Sequence, residues 1–203
     1  MRKLLLATTN LHKLEEYRAI FVDVPFELLS LRDIQLDMDV EETGTTFAEN
    51  AELKALAYAR ASGLLALADD SGLEIDALGG APGIYSARFA GRRTPYAERF
   101  RLIEEQLKGL PPQQRTARFR CAITIAEPSG LYRTVEGVQE GIIAEAPRGK
   151  GGFGYDPIFL VPELGKTNAE LAPEHKNRIS HRGQAAAKAR NLLLSWPATG
   201  SSV

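Results

Sequence analysis

Cysteine is almost missing from this chain: Cys121 is the only one in 203 residues. A single thiol excludes a disulfide framework and a cysteine-built zinc site. Histidine is scarce too, and His12, His175 and His181 include no close pair, which argues against a histidine metal centre. Neither charge is in surplus, with 25 Lys and Arg against 26 Asp and Glu and a net charge of -1. Wrapping a polyanion needs excess positive charge, so no nucleic-acid partner is expected. No stretch approaches the ~18 apolar residues of a membrane helix, so no membrane partner is expected either. The opening Met1-Arg2-Lys3-Leu4-Leu5-Leu6-Ala7 is basic and then apolar, but its apolar run is only about four residues, short of the ~7 of a signal peptide. The expected location is the cytoplasm, where Cys121 stays reduced. Fixed-period repeats and low-complexity blocks are also lacking.

What is present is an ordinary globular composition, 44% hydrophobic and 25% charged. That predicts one domain over residues 1–196 and a frayed tail over 197–203. Strand-like and helix-like patterns alternate, which predicts an α/β fold with helices covering a sheet. Residues 3–7 and 26–31 read as strands, separated by a helix capped by Asn10 with Leu11, Leu14, Tyr17 and Phe21 on one face. Thr46-Phe47-Ala48-Glu49 is a capping box for a helix running to Ser62, with Gly63 as its stop. Residues 64–68 read as a strand ending in an Asp69-Asp70-Ser71-Gly72 turn, and 73–78 as another strand. Pro95 is expected as the first residue of a helix ending by Gly109. Residues 116–126 are the clearest strand, with Ala117, Phe119, Cys121, Ile123 and Ile125 on one face. Residues 131–136 and 138–144 read as two more strands, around Gly137 or Gly141. A glycine-dense loop, a strand over 158–161, a capping box at Thr167 and a final helix capped by Ser180 complete the pattern.

Four polar segments stand at junctions between elements, where α/β proteins place their sites. Thr8-Thr9-Asn10-Leu11-His12-Lys13 opens a helix, and hydroxyls, an amide and a lysine at a helix start suit a phosphate. The competing reading is a plain Asn cap, and the segment is no Walker loop. Glu41-Glu42 with Asp69-Asp70-Ser71 can hold Mg²⁺ and activate a water; the alternative for Asp69-Asp70-Ser71-Gly72 is a simple turn. Gly151-Gly152-Phe153-Gly154-Tyr155-Asp156 sets aromatics among glycines, so one of them is placed to stack on a nucleobase; otherwise Phe153 or Tyr155 is tucked into the core. Lys176 and Ser180-His181-Arg182 put positive charge on a helix start, a local conflict with the helix dipole. These are the parts for handling a nucleoside phosphate with Mg²⁺.

These segments, together with Glu41-Glu42-Thr43-Gly44-Thr45-Thr46-Phe47 and Gly79-Gly80-Ala81-Pro82-Gly83-Ile84-Tyr85-Ser86-Ala87-Arg88-Phe89, are similar in kind and order to the inosine/xanthosine triphosphate pyrophosphatase family. The resemblance spans nearly the whole chain. It implies a long, twisted mixed β-sheet with helices in two lobes flanking a central substrate cleft, a homodimer, and Mg²⁺. The implied reaction splits XTP, ITP or dITP into nucleoside monophosphate and pyrophosphate. It also implies the roles. Thr8, Thr9, Asn10, Leu11, His12 and Lys13 would hold the triphosphate. Asp70 would be the general base and would sit at the metal with Glu41, for which the adjacent Glu42 is an alternative, while Asp69 could share the metal's water shell. Ser71 and Lys176 would contact substrate, and Phe153 would stack on the purine in a pocket shaped by Gly154, Tyr155 and Asp156. His181 and Arg182 would read its 6-oxo edge. Thr9 and His12 depart from the small residues many members carry there. A house-cleaning pyrophosphatase for modified pyrimidine or methylated nucleotides would differ in the base pocket. A non-catalytic nucleotide-binding module would need neither Asp70 nor Glu41.

Overall fold

The computed structural model describes residues 1–197. The expected tail therefore lies, from residue 198 on, outside the described residues. Seven strands form one open mixed sheet: β1 (Arg2–Leu6), β2 (Phe26–Ser30), β3 (Leu65–Ile75), β4 (Thr116–Ala126), β5 (Tyr132–Ile143), β6 (Phe159–Val161) and β7 (Lys166–Thr167), in the order β2-β1-β3-β4-β5-β6-β7. β1 runs parallel to β2 and β3, and every later pairing is antiparallel. The helices are α1 (Leu11–Ile20), α2 (Phe47–Ser62), α3 (Tyr96–Gln106), α4 (Pro173–Ile179) and α5 (His181–Leu194). The α/β expectation is met.

Strand alternation sorts the core. Leu4, Leu6, Leu65, Leu67, Cys121, Ile123 and Ile125 pack against Leu14 and Tyr17 of α1 and Ala185, Ala186 and Ala189 of α5. Leu5, Ala66 and Ala68 point the other way, onto Ala55, Tyr58 and Ala59 of α2. A separate apolar cluster joins Leu73, Ile75, Phe119 and Phe159 to Ile103 and Leu107 at α3.

Two expectations need correction. The Asp69-Asp70-Ser71-Gly72 segment is not a turn. β3 runs unbroken from Leu65 to Ile75 and pairs with β4 throughout, Asp69 opposite Ile123 and Asp70 opposite Ala122. The ladder satisfies the backbone there, and side chains described below compensate the buried carboxylates. Beyond Ile75 the chain enters a single 3₁₀ turn, not further strand. Likewise β5 is one strand, undivided at Gly137. A Cβ at Gly137 would lie 2.6 Å from the backbone N of Ala185, so this glycine marks the close approach of α5 rather than a break. Smaller differences are that Pro95 precedes α3 as its cap residue, and that the capping box at Thr167 opens only a 3₁₀ turn.

Candidate active site

A cleft of about 960 Å³ opens along the sheet at the turn after β1 and the middle of β3. One wall is the turn into α1 with the Asp39–Glu42 segment; another is Ser86–Arg88, Arg92 and Tyr96; Phe153–Asp156, Lys176, His181 and Arg182 close the far end. A cleft of this size suits a small-molecule ligand.

Asp69 and Asp70 sit side by side in β3, but the pleat sends them to opposite faces. Asp69, on the α1–α5 face, receives Lys13 Nζ at 2.8 Å and has Arg182 Nε at 3.7 Å. Burial alone would raise its pKa, but Lys13, Arg182 and Lys54 outweigh burial and hold it far below the usual carboxylate range. Asp70, on the α2 face, accepts from Asn50 Nδ2 at 3.1 Å and from the Ser71 backbone N–H at 2.9 Å. Its nearest cation, Lys54 Nζ, stands 3.8 Å away and is held at 2.6 Å by Glu42. Burial, with Glu42 adding to it, raises the pKa of Asp70 despite Lys54. Two adjacent carboxyls thus have opposed proton affinities, the pattern that separates an ion-pair anchor from a base.

At the head of α1, Asn10 Oδ1 accepts from the backbone N–H of His12 and of Lys13. The Asn cap is formed, and it takes up the N–H groups of His12 and Lys13. Thr8, Thr9, Asn10 and Lys13 line the cleft, whereas Leu11 and His12 do not. The Leu11 side chain is 51% exposed. His12 instead stacks on the Phe153 ring, centroids 5.3 Å apart.

Within the glycine loop the two aromatics divide the alternatives. Phe153 stays at the cleft, with Lys176 Nζ 4.9 Å and Arg182 Cζ 5.2 Å from its centroid. Tyr155 is tucked into the core and donates its hydroxyl to Ser86 O at 2.9 Å. Asp156 folds the loop on itself: its carboxylate accepts from the Phe153 N–H at 2.9 Å and pairs with Lys176 Nζ at 2.8 Å. Gly152, at φ 68°, leaves room for that carboxylate where a Cβ would collide with it.

Ser180 caps α5, so His181 and Arg182 begin it. His181 is buried and stacks on Phe119 at 4.5 Å; burial, then Arg182, Lys176 and Lys13, push its pKa well below the ordinary value. It is neutral, and Arg182 is neutralised by Glu16 at 2.8 Å, which resolves the conflict with the helix dipole. Arg182 also donates to Ser71 Oγ at 2.8 Å. His181 Nδ1 and Arg182 Nε are buried without a hydrogen-bond partner.

Sequence reasoning missed Asn50 and Lys54, which hold Asp70 and Glu42, and Glu16, which holds Lys176 and Arg182 together. A signal existed for the first two. They are polar residues four apart on α2, beside its buried stripe of Phe47, Ala51 and Ala55. Glu16 had none, because its partners lie some 160 residues away.

The donor set fits Mg²⁺. Among the described residues no three His, Cys, Asp or Glu side chains form a ready cage. Mg²⁺ does not need one: it takes a carboxylate or two plus waters and substrate phosphates. Glu41 and Asp39 line the same cleft as Asp70 and, among the described residues, have no side-chain hydrogen bond or ion pair, whereas Glu42 is engaged by Lys54 and by Arg88 at 3.1 Å.

Residues 4–192 match the sequence model of the Ham1 family. A dITP/XTP pyrophosphatase of Geobacillus kaustophilus (strain HTA426) is 52% identical over 188 residues, 93% of this chain and 92% of that protein. A solved HAM1 protein from Coxiella burnetii superposes with a TM-score of 0.88 at 44% identity, covering 96% of this chain and 100% of that one. The Ham1 protein of Staphylococcus aureus gives 0.86 at 39% identity, covering 97% and 100%.

Proposed function

The chain belongs to the Ham1 family, and from that premise we propose that it hydrolyses deaminated purine nucleoside triphosphates such as dITP and XTP to monophosphate and pyrophosphate. The observation that carries the mechanism is that Asp69 and Asp70 line one cleft of small-molecule size, Asp69 clamped by Lys13 and Asp70 held by Asn50 and the Ser71 N–H.

Asp70 is the general base. Asn50 and the Ser71 N–H fix its carboxylate, and its raised proton affinity suits it to take a proton from water. The hydroxide so formed attacks the α-phosphorus. The bond from that phosphorus to the bridging oxygen breaks, and pyrophosphate leaves with the electron pair. Thr8, Thr9, Asn10 and Lys13 bind the phosphates at the start of α1. Asp69 is the anchor that keeps Lys13 and Arg182 in place. Glu41 and Asp70 would hold Mg²⁺. When bound, Mg²⁺ neutralises phosphate charge and polarises the oxygens around the reacting phosphorus.

Phe153 supplies the stacking surface for the purine, and Lys176, Ser71, His181 and Arg182 surround that end. Hydrogen-bond donors there match a C6 carbonyl and mismatch the amino group of adenine. Gly154, Tyr155 and Asp156 act on the base indirectly, by setting the position of Phe153. Leu11 has its backbone at the turn, and its exposed side chain takes no part. A cytoplasmic homodimer is the setting this reading assumes. No described helix is long and apolar enough to cross a membrane.

The test is pyrophosphate release with Mg²⁺ and with EDTA across XTP, ITP, dITP, GTP and ATP. Mg²⁺-dependent release from XTP, ITP and dITP, with ATP nearly inert, is the expected result. Release of single phosphate, or equal use of ATP, overturns it. Asp70→Asn should abolish turnover while nucleotide binding remains measurable; persistent turnover would remove Asp70 as the base.

A further inference from the structure

Six basic side chains line the cleft: Lys13, Lys54, Arg88, Arg92, Lys176 and Arg182. Five are already answered by carboxylates. Lys13 meets Asp69 at 2.8 Å, Lys54 meets Glu42 at 2.6 Å, and Arg88 meets Glu42 at 3.1 Å. Lys176 and Arg182 both meet Glu16 at 2.8 Å. Among the described residues, Arg92 is the one lining cation with no ion pair and no side-chain hydrogen bond. Lys13 and the other paired cations meet a phosphate with part of their charge offset by the carboxylates beside them. Arg92 adds a positive charge that no carboxylate among the described residues offsets.

The backbone around it is built to hold it there. The buried Arg99 guanidinium donates at 3.0 Å to Ser86 O and at 3.0 Å to Gly91 O, and Thr94 Oγ1 donates to Ala90 O. Gly91 turns the chain at φ 113°, which favours glycine. Arg92 faces the cleft with Arg88 and Tyr96 of the same segment, whereas its exposed neighbour Arg93 does not line it. Arg92 itself is exposed, at the rim. The α-phosphate must sit beside buried Asp70 and the base beside Phe153, so the rim is left to the outer phosphates. Resting on the triphosphate reading above, we infer that Arg92 is a substrate-binding residue that holds the β- and γ-phosphates, the part that departs as pyrophosphate. Its planar fork suits that contact.

The experiment uses the full chain with Arg92→Ala, Arg92→Lys and, as a control on the same loop, Arg93→Ala. The first readout needs no turnover: binding of inorganic tripolyphosphate in metal-free buffer by calorimetry. Arg92→Ala should weaken it about tenfold, the loss typical of one charge-assisted contact. Arg92→Lys should recover part of that, and Arg93→Ala should change it less than twofold. The second readout is steady-state hydrolysis of dITP. KM should rise about tenfold in Arg92→Ala with kcat within threefold, and inhibition by the nucleoside monophosphate should be unmoved. Equal tripolyphosphate affinity in wild type and Arg92→Ala, or an equal loss in Arg93→Ala, overturns the assignment. A wild type that binds tripolyphosphate through Arg92 but releases no pyrophosphate from any purine triphosphate overturns the proposed function and leaves the Arg92 contact standing.

Discussion

Chemistry at this site is decided by which face of one strand a carboxyl occupies. Asp69 and Asp70 have the same side chain and adjacent positions, yet one is clamped by Lys13 and Arg182 and the other leans on an amide and a backbone N–H. Removing one partner of such a buried pair leaves a charge unanswered, which is costlier than losing the contact. Arg182 shows the same economy. Its Nη1 donates to Glu16 and its Nη2 to Ser71, so one guanidinium joins α1, β3 and α5. The glycine opposite this helix start is equally exacting. Gly137→Ala would press a methyl against the backbone at His181 and Ala185. A loss of about 1–3 kcal/mol in stability is expected, as for overpacking elsewhere. Activity should fall by more than the folded fraction, because α5 carries Arg182. A Gly137→Ala protein with unchanged urea midpoint and unchanged kcat/KM would show that α5 does not press on β5 there.

Element by element, the helix starts carry the site. The capping box of α2 is formed in full: Thr46 Oγ1 accepts from the Glu49 N–H at 3.1 Å, and Glu49 returns a carboxylate to the Thr46 N–H at 3.2 Å. One turn later Asn50 reaches Asp70, and Lys54 follows after another. Fraying at the cap would therefore loosen the hold of Asn50 on Asp70. Thr46→Ala should cost about 1 kcal/mol, read as a Tm lower by about 2–4 °C. Thr46→Ser should restore it, and a Thr46→Ala protein as stable as wild type would show that the box contributes nothing net. This box, the Asn10 cap and the Ser180 cap were legible in the sequence because capping is local, its partners only two or three residues apart. The continuity of β3 and β5 was not. An acidic Asp-Ser-Gly run and a mid-strand glycine read as breaks unless the neighbouring strand and helix are in view.

For the whole molecule, buried titratable groups set the response to acid. His181 is held neutral, with its pKa well below the ordinary 6.5, by burial and by Arg182, Lys176 and Lys13. The unfolded chain binds that proton near pH 6.5 and the folded chain does not, so stability falls as pH drops below about 6.5. Glu16 adds a second loss. Burial would raise its pKa, but Arg182 and Lys176 draw it below 4.5, so its contribution is full at neutral pH and disappears as pH falls through that lowered value. Urea midpoints between pH 8 and pH 4 should decline steadily, and the segment between about pH 6.5 and 5 should flatten in His181→Gln. Greater stability at pH 5 than at pH 7 would contradict this account.

The alternation of strands and helices, the caps, the clearest strand and the family were legible along the chain, since periodicity, capping chemistry and ordered motifs are properties of neighbouring residues. Thr8, Thr9, Asn10, Lys13, Asp70, Phe153, Lys176 and Arg182, singled out from separate stretches of the chain, line one cleft. The fold had to be in view to see that Phe153 faces the cleft while Tyr155 enters the core, that Asp69 meets Lys13 while Asp70 meets Asn50, and that Glu16 and Lys54 pair with residues of the same cleft. Those outcomes depend on which groups meet across the fold and how far water is excluded from them. Burial and charge pairing act through space, and no local pattern along the chain encodes them.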